Sequence, residues 1–259
     1  MVFHKLCKAV VYKSQPVKYA QEKLDGHRMT ITCTGDGTTS NGIRAFSRKG
    51  DITDKVKNYD WFPKKLPKGS SFDGELWYPD LPASSIKTQL NNFDPLLFWV
   101  FAVPFYEGTG QMYTDLANAQ LLCSKAGFTF IGWEPVIAAS NLSYWYAMAR
   151  KRRVEGWVFK NFNYLEWYKV KETKTIDCVV TGIKPGQGKY YGQCGSLIVT
   201  AGGKEIASVS GFTDDERALI SDKDIGRVVE VEYQGVAAQG RLRFPRFVRW
   251  RDDKPAEEC

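Results

Sequence analysis

A lysine close to a glycine turn and an arginine is the first reactive group of this 259-residue chain, where residues 22–28 read E-K-L-D-G-H-R. A lysine amine is a nucleophile only when it is neutral, and at neutral pH an ordinary lysine is about three pH units too basic. Lys23 is therefore a candidate to attack phosphorus where neighbouring cations and a metal ion favour loss of its proton.

Five further segments follow in an order that supplies the other groups of a phosphoryl transfer site. They are F-D-G-E-L at 72–76, Phe101 in an apolar stretch, E-G-W-V at 155–158, K-V-K at 169–171 and R-F-P-R-F-V-R-W-R-D-D-K at 243–254. Lys169 and Lys171 alternate on a predicted strand, so both side chains point to one face and can hold a phosphate. Glu75 and Glu155 are carboxylates of the kind that Mg²⁺ prefers. An in-line transfer needs mainly such positioning and charge neutralisation.

This ordered set resembles the motifs of the covalent nucleotidyltransferases, the superfamily of ATP-dependent DNA ligases, RNA ligases and mRNA capping enzymes. The resemblance extends from about residue 17 to Lys254, and the last motif, with F-S-R-K-G at 46–50, is similar to DNA ligases in particular. It implies a minimal ATP-dependent DNA ligase of bacterial or bacteriophage type. Lys23 would take AMP from ATP, the AMP would pass to the 5′-phosphate of a nick, and the 3′-hydroxyl would then displace it.

The resemblance also implies a role for each site residue. Lys23, Lys169 and Lys171 would be catalytic, and Glu75 and Glu155 would hold Mg²⁺, with Mn²⁺ as a substitute. The nucleotide would be bound by Gln21, Glu22, Arg28, Arg48, Glu75, Phe101, Arg251, Asp253 and Lys254.

The chain departs from the pattern of many DNA ligases at two positions. Gln21 stands where they have an acidic residue that reads the adenine amine, although a glutamine amide can also accept that hydrogen bond. Ala102 stands where an aspartate often follows the aromatic residue of the adenine-stacking motif.

Hydrophobic patterning predicts an α+β protein. We expect an adenylation (nucleotidyltransferase) domain of antiparallel sheets with flanking helices at 1–172, and an all-β OB-fold barrel at 173–259. The first should contain strands at 17–23, 28–34, 71–77, 97–103, 155–159 and 167–171, with helices at 115–126 and 140–153. The second should contain strands at 177–182, 196–200, 228–233 and 242–248, with one short helix near 214–221.

Charge and composition restrict the partners. Residues 1–172 carry the whole net charge of +7, which favours contact with a polyanion, and nicked double-stranded DNA is the expected partner. Two histidines leave little room for a Ser-His-Asp mechanism, and six cysteines without a C-x-x-C pair predict free thiols. We find neither an apolar run of membrane-spanning length nor a signal-peptide pattern. We therefore expect a monomer in the cytoplasm, or in the host cytoplasm if the protein is viral, with no membrane partner.

Three alternatives remain open at this point. An RNA ligase and a GTP-using capping enzyme share most of the motifs, and they differ in the nucleotide that labels the protein and the polymer that is joined. A non-catalytic DNA-end-binding module is the third, although such a module has no need for Lys23, Glu75, Glu155, Lys169 and Lys171 together.

Overall fold

The computed structural model describes residues 9–34, 42–79, 85–86, 90, 96–105, 116–161, 166–237 and 239–259. The chain forms two units, Met1–Lys171 and Glu172–Cys259, which are described separately. Within the described ranges, no helix is long and apolar enough to cross a membrane.

The first unit contains two sheets, here called sheet A and sheet B. Sheet A has the strand order β1-β11-β10-β2-β9, with β1 (Val10–Val11), β2 (Tyr19–Lys23), β9 (Trp133–Pro135), β10 (Gly156–Lys160) and β11 (Trp167–Val170). Sheet B has the order β5-β4-β3-β6-β7-β8, with β3 (His27–Cys33), β4 (Ile43–Ser47), β5 (Gly50–Asp51), β6 (Ser71–Trp77), β7 (Leu97–Phe105) and β8 (Thr129–Phe130).

The described part of this unit includes three helices that pack on the sheets, namely α1 (Thr53–Val56), α2 (Leu116–Ala126) and α3 (Leu142–Arg152). The Asn141 side chain caps α3 by accepting from the backbone N–H of Tyr144 at 3.1 Å, and Arg153 ends it with a φ of 55°. Both ends agree with the predicted helix at 140–153. The predicted start of α2 at residue 115 lies outside the described residues.

Sheet A has one apolar face and one polar face. Its apolar face packs against α3 through Ala20, Trp145, Ala149, Trp157 and Phe159. On the other face, the register places Lys23 opposite Gly156 and places Val158 opposite both Gln21 and Lys169. Because directly paired residues share a face, Lys23, Gln21 and Lys169 project to the same side.

Sheet B is divided in the same way. Its apolar side, with Met29, Ile31 and Phe72, belongs to the largest buried cluster of the unit. Its polar side carries Arg28 opposite Glu75 and Thr30 opposite Asp73, since β3 and β6 are antiparallel neighbours in that register.

The second unit is built on one five-stranded sheet in the order β14-β13-β12-β15-β18. The strands are β12 (Lys174–Pro185), β13 (Cys194–Ala201), β14 (Lys204–Val209), β15 (Val228–Tyr233) and β18 (Arg246–Trp250). The two edges of this sheet meet at one parallel bridge between Ser210 and Arg246. The short helix predicted near 214–221 is present as α4 (Asp214–Leu219), which begins with a capping box of Thr213 and Glu216.

The predicted strand at 242–248 is wrong as a single element. The structure divides it into β17 (Leu242–Arg243), which pairs with β16 (Gly235–Val236), and β18 in the main sheet. Phe244 lies between them with a φ of 53°, a left-handed conformation that a strand does not contain, and Pro245 has no N–H to donate. The alternation of apolar residues continues across this break, and the sequence pattern therefore predicts one continuous strand.

Candidate active site

Lys23 lies beside a carboxylate and a second lysine. Its Nζ donates to Glu155 Oε2, and Lys171 Nζ donates to Glu155 Oε1 at 2.9 Å. The Lys23 side chain is 27% exposed, so a ligand can reach its amine from solvent. Burial alone would raise the pKa of Glu155, but Lys23 and Lys171 together hold this pKa below its ordinary value. Glu155 is thus an ionised group that holds two cations.

Two glycines allow this close arrangement. A Cβ on Gly26 would lie 2.3 Å from the Leu76 carbonyl oxygen and 2.6 Å from Glu75 Cγ. A Cβ on Gly156 would lie 2.3 Å from the Val170 carbonyl oxygen and 2.9 Å from Lys171 Cβ. The glycine in E-K-L-D-G therefore lets the turn after Lys23 pack against Glu75, and the glycine after Glu155 lets β10 approach the end of β11.

Lys169 adds to the positive field on this face of sheet A. Burial, followed by the charges of Lys171 and Lys23, lowers the pKa of Lys169. Lys23 and Lys171 are therefore close enough to Lys169 to lower its pKa, as the alternation in K-V-K predicts. Such a group is suited to an anionic ligand, which would remove the repulsion between them.

Glu75 is a half-buried residue near the same lysine. Burial raises its pKa to about 8, and the charges of Asp73 and Glu155 add to this effect while Lys23 opposes it. A poorly solvated carboxyl group next to two other carboxylates is stabilised in its ionised form by the arrival of a cation.

Arg28 lies between a buried acid and two aromatic rings. It donates from Nε to Asp73 Oδ1 at 3.0 Å and from a second guanidinium nitrogen to Asp73 Oδ2. Its guanidinium carbon is 5.6 Å from the centre of the Phe101 ring and 5.8 Å from that of Trp167. Phe101 and Trp167 meet edge to face with ring centres 5.6 Å apart. Phe101 is half-buried, and it therefore keeps part of its surface for a base.

Lys160 connects the two polar faces. This buried lysine donates to the Phe101 carbonyl oxygen at 2.9 Å and to Gln21 Oε1, and its Nζ is 4.1 Å from the centre of the Trp167 ring. The Gln21 amide also donates to the Ile131 carbonyl oxygen at 2.8 Å, and the residue is 1% exposed. Gln21 is therefore bonded within the protein at both ends of its amide, and its contact with adenine stays a prediction.

Two expected nucleotide ligands lie apart from this cluster. Glu22 is on the α3 face of sheet A, where it accepts from Arg152 at 2.9 Å. Arg48 is exposed in the turn between β4 and β5. The strand alternation that brings Gln21 and Lys23 together places Glu22 on the opposite side.

The candidate residues of the second unit share one aspartate that the sequence did not reveal. Arg251 donates to both oxygens of Asp177 at 2.9 Å and to both oxygens of Asp253 at 2.9 Å, and Lys254 Nζ donates to Asp177 at 3.0 Å. The hydrogen bond from Arg251 holds the pKa of Asp253 at about 2, and the bond to Asp177 raises the pKa of Lys254. Asp177 therefore orients both cations of the last motif.

Comparisons with known proteins show the family of this chain. A family model described as RNA ligase matches residues 18–171, which is more than half of the chain and includes Lys23, Glu75, Glu155 and Lys171. The chain belongs to this family of nucleotidyltransferase ligases. A second model, described as the DNA ligase OB-like domain, matches residues 185–251.

Individual relatives extend the match over nearly the whole chain. A DNA ligase of Haemophilus influenzae is 26% identical over 94% of this chain and 90% of its own length. A DNA ligase of Halobacterium salinarum is 32% identical over 34% of this chain, so the match spans only 21% of that longer protein. A Lig E DNA ligase structure superposes with a TM-score of 0.72 at 21% identity, covering 96% of this chain and all of that one. The predicted resemblance to ATP-dependent DNA ligases, and the fold of a nucleotidyltransferase domain followed by an OB domain, are confirmed.

Glu75 and Glu155 are the donors that the sequence predicts for a divalent cation. The described part of the chain contains no group of three or more His, Cys, Asp or Glu side chains that could hold a metal ion by themselves. Two carboxylates nevertheless fit Mg²⁺, because this ion is usually bound by one or two carboxylates and completed by substrate phosphates. The raised pKa of Glu75 indicates a position where a cation is favourable.

The sequence missed Lys160, Trp167, Asp73 and Asp177 as site residues. Lys160 ends the run E-G-W-V-F-K and alternates with Val158, so strand periodicity could have placed it beside Gln21. Asp177 is 74 residues from Arg251, and no local pattern links the two.

Proposed function

We propose that the protein is an ATP-dependent DNA ligase that seals 5′-phosphate/3′-hydroxyl nicks through an AMP group carried on Lys23. The observation that supports this most directly is the contact of Lys23 Nζ with Glu155, beside Lys169 and Lys171 on one face of sheet A. The relatives named DNA ligase support the choice of DNA as the polymer.

Lys23 is the nucleophile of the first step. Its nitrogen forms a bond with the α-phosphorus of ATP while the bond from that phosphorus to the pyrophosphate oxygen breaks. Glu155 accepts a hydrogen bond from the amine and so orients it, and the amine proton can leave along this bond. Lys169 and Lys171 stabilise the negative charge of the α-phosphate, since Lys171 contacts the same carboxylate as Lys23 and both of these cations lie close enough to Lys169 to lower its pKa.

The nucleoside is held by sheet B. Phe101 offers its ring to the base, and Arg28, fixed by Asp73, lies beside that ring. Glu75 and Glu155 would hold Mg²⁺, which would neutralise part of the triphosphate charge when bound. Mn²⁺ should substitute, because it takes the same oxygen ligands.

The last motif acts on the leaving group. Arg251 and Lys254, oriented by Asp177 and Asp253, would hold the pyrophosphate during the first step. In the second step the 5′-phosphate oxygen bonds to the AMP phosphorus while the bond from Lys23 to that phosphorus breaks, and in the third the 3′-hydroxyl attacks the 5′-phosphorus and AMP leaves, so neither step releases pyrophosphate. These steps use duplex DNA as the partner, and the protein is proposed to act as a monomer.

RNA ligation is the second candidate function, because the model that matches residues 18–171 is described as RNA ligase.

The test of both candidates is incubation with α-labelled ATP, GTP or NAD and Mg²⁺, followed by a chase with nicked DNA or nicked RNA. We expect labelling by ATP alone, a mass gain of roughly 329 Da, and release of the label on nicked DNA.

Lys23→Ala should abolish labelling, whereas Lys18→Ala, a change at an exposed lysine of the same segment, should keep it. Labelling of Lys23→Ala at another lysine would contradict the proposal. Joining of nicked RNA but not of nicked DNA would support the second candidate instead.

A further inference from the structure

Most of the net charge of this protein is concentrated in one short segment. Residues 44–68 contain eight Lys and Arg but only three Asp and Glu, a net of +5, while the whole chain carries +7. All eight cationic residues are exposed. The segment includes β4, β5 and α1 and the loop that returns to β6.

Only two of these eight cations form ion pairs with described residues. Arg44 pairs with Asp51 at 2.8 Å, and Lys57 pairs with Asp54 at 2.7 Å. The six others form no ion pair in the described part of the chain, and they are Arg48, Lys49, Lys55, Lys64, Lys65 and Lys68. By contrast, Arg152 in the basic run at the end of α3 is bound by Glu22 and Glu134. Residues 44–68 thus present an uncompensated positive surface, here called the basic surface.

The backbone of this surface is firmly attached to sheet B. Thr53 Oγ1 accepts from the Ala45 N–H at 2.9 Å, and the N–H of Gly69 donates to the Cys33 carbonyl oxygen at 2.9 Å. Cys33 and Arg28 lie at opposite ends of β3, about 17 Å apart along the strand. Lys68 is therefore far from the nucleotide residues, whereas the turn with Arg48 and Lys49 is at the Arg28 end, because Ser47 pairs with Met29.

We propose that the basic surface binds the phosphodiester backbone of duplex DNA on one side of the nick. The proposal rests on the proposed function, because it assigns the DNA contact of that same reaction. A duplex has phosphates spaced along its whole length, so a surface that extends about 17 Å from the nucleotide site spans several base pairs. Exposed cations without acidic partners contribute the most binding free energy when they contact phosphates, since no existing ion pair must be broken.

The test compares two triple variants that remove equal charge. The first, Lys64→Gln/Lys65→Gln/Lys68→Gln, lies on the basic surface. The matched control, Lys125→Gln/Lys204→Gln/Lys223→Gln, removes three exposed lysines that lie elsewhere and form no ion pair with described residues. Binding to a nicked duplex with a dideoxy 3′ end is measured at several salt concentrations, and self-adenylylation is measured with ATP and Mg²⁺.

For the basic-surface variant, we expect the slope of log K for DNA binding against log salt concentration to become shallower by about 2–3. Its affinity for the nicked duplex at 0.1 M salt should fall roughly tenfold or more. Self-adenylylation should stay at the parent rate, and the control should keep the parent slope. A basic-surface variant with the parent slope overturns the proposal. A parent protein that neither labels with ATP nor seals nicks overturns the proposed function itself, and this outcome is visible before any variant is made.

Discussion

Glu155 accepts one hydrogen bond from Lys23 and one from Lys171, each on its own carboxylate oxygen. The backbone N–H of Glu155 also donates to the Lys23 carbonyl oxygen at 2.9 Å. A single residue therefore fixes the main chain at the end of β2, the amine of Lys23 and the amine that follows β11. The two cations keep this carboxylate ionised, since they hold its pKa below the ordinary value against the effect of burial.

Glu155→Gln should slow self-adenylylation by about 10²-fold or more, because the amine of Lys23 loses the charge that orients it. The measurement is the rate of ATP-dependent mass gain under single-turnover conditions. Glu166→Gln is the matched control, since Glu166 is an exposed residue four positions before Val170 and should leave the rate unchanged. A Glu155→Gln variant that labels at the parent rate would show that Lys23 needs no carboxylate partner.

Glu75→Gln should stabilise the protein at alkaline pH while it abolishes labelling. Burial raises the pKa of Glu75 from 4.5 to about 8 in the folded protein. Between these values the folded state keeps a proton that the unfolded chain releases, so the free energy of unfolding falls as pH rises. Glutamine has no such proton, and the variant should melt a few degrees above the parent at pH 8 but together with it near pH 4. Thermal melts across this range check the prediction, and a constant difference at every pH would contradict it.

Strand alternation made part of the site predictable. Lys169 shares a face with Lys23 because the register carries the period of two from β11 across β10 to β2. Lys171 follows β11 directly, and it contacts the same carboxylate as Lys23. The same rule places Glu22 on the α3 face, although its position next to Lys23 in the sequence favoured a role at the nucleotide. Alternate spacing along a strand therefore predicted which side chains lie together better than adjacency in the sequence did.

Contacts between distant segments could not be predicted. Asp177 meets Arg251 only because β12 and β18 both pair with β15, and this register is a property of the folded sheet. Lys160 likewise reaches Phe101 because sheet A and sheet B bring their polar faces together. The prediction of one strand at 242–248 was wrong for a local reason. The left-handed backbone conformation of Phe244 cannot be recognised from the alternation of apolar residues.

Lys160→Met should weaken ATP binding more than it slows the chemical step. Lys160 holds the Phe101 carbonyl and Gln21, and methionine leaves both acceptors buried without their donor, at a cost of about 1–3 kcal/mol in stability. The KM for ATP should rise severalfold while kcat changes little, since Lys23 and Glu155 are untouched. Lys160→Arg restores a donor and should recover part of the affinity. Parallel losses in kcat with an unchanged KM would instead place Lys160 in the transfer step.

Asp177→Asn should slow self-adenylylation about tenfold and leave the sealing of a pre-adenylated nick nearly unchanged. The aspartate fixes Arg251 through two hydrogen bonds and Lys254 through a third, and asparagine has neither the charge nor the second acceptor oxygen. Lys254→Ala should show the same separation of steps, more strongly, because it removes a group that holds the leaving pyrophosphate. Asp222→Asn, at an exposed position of the same unit, is the matched control. Equal slowing of both steps in Asp177→Asn and Lys254→Ala would mean that the last motif acts on DNA rather than on the leaving group.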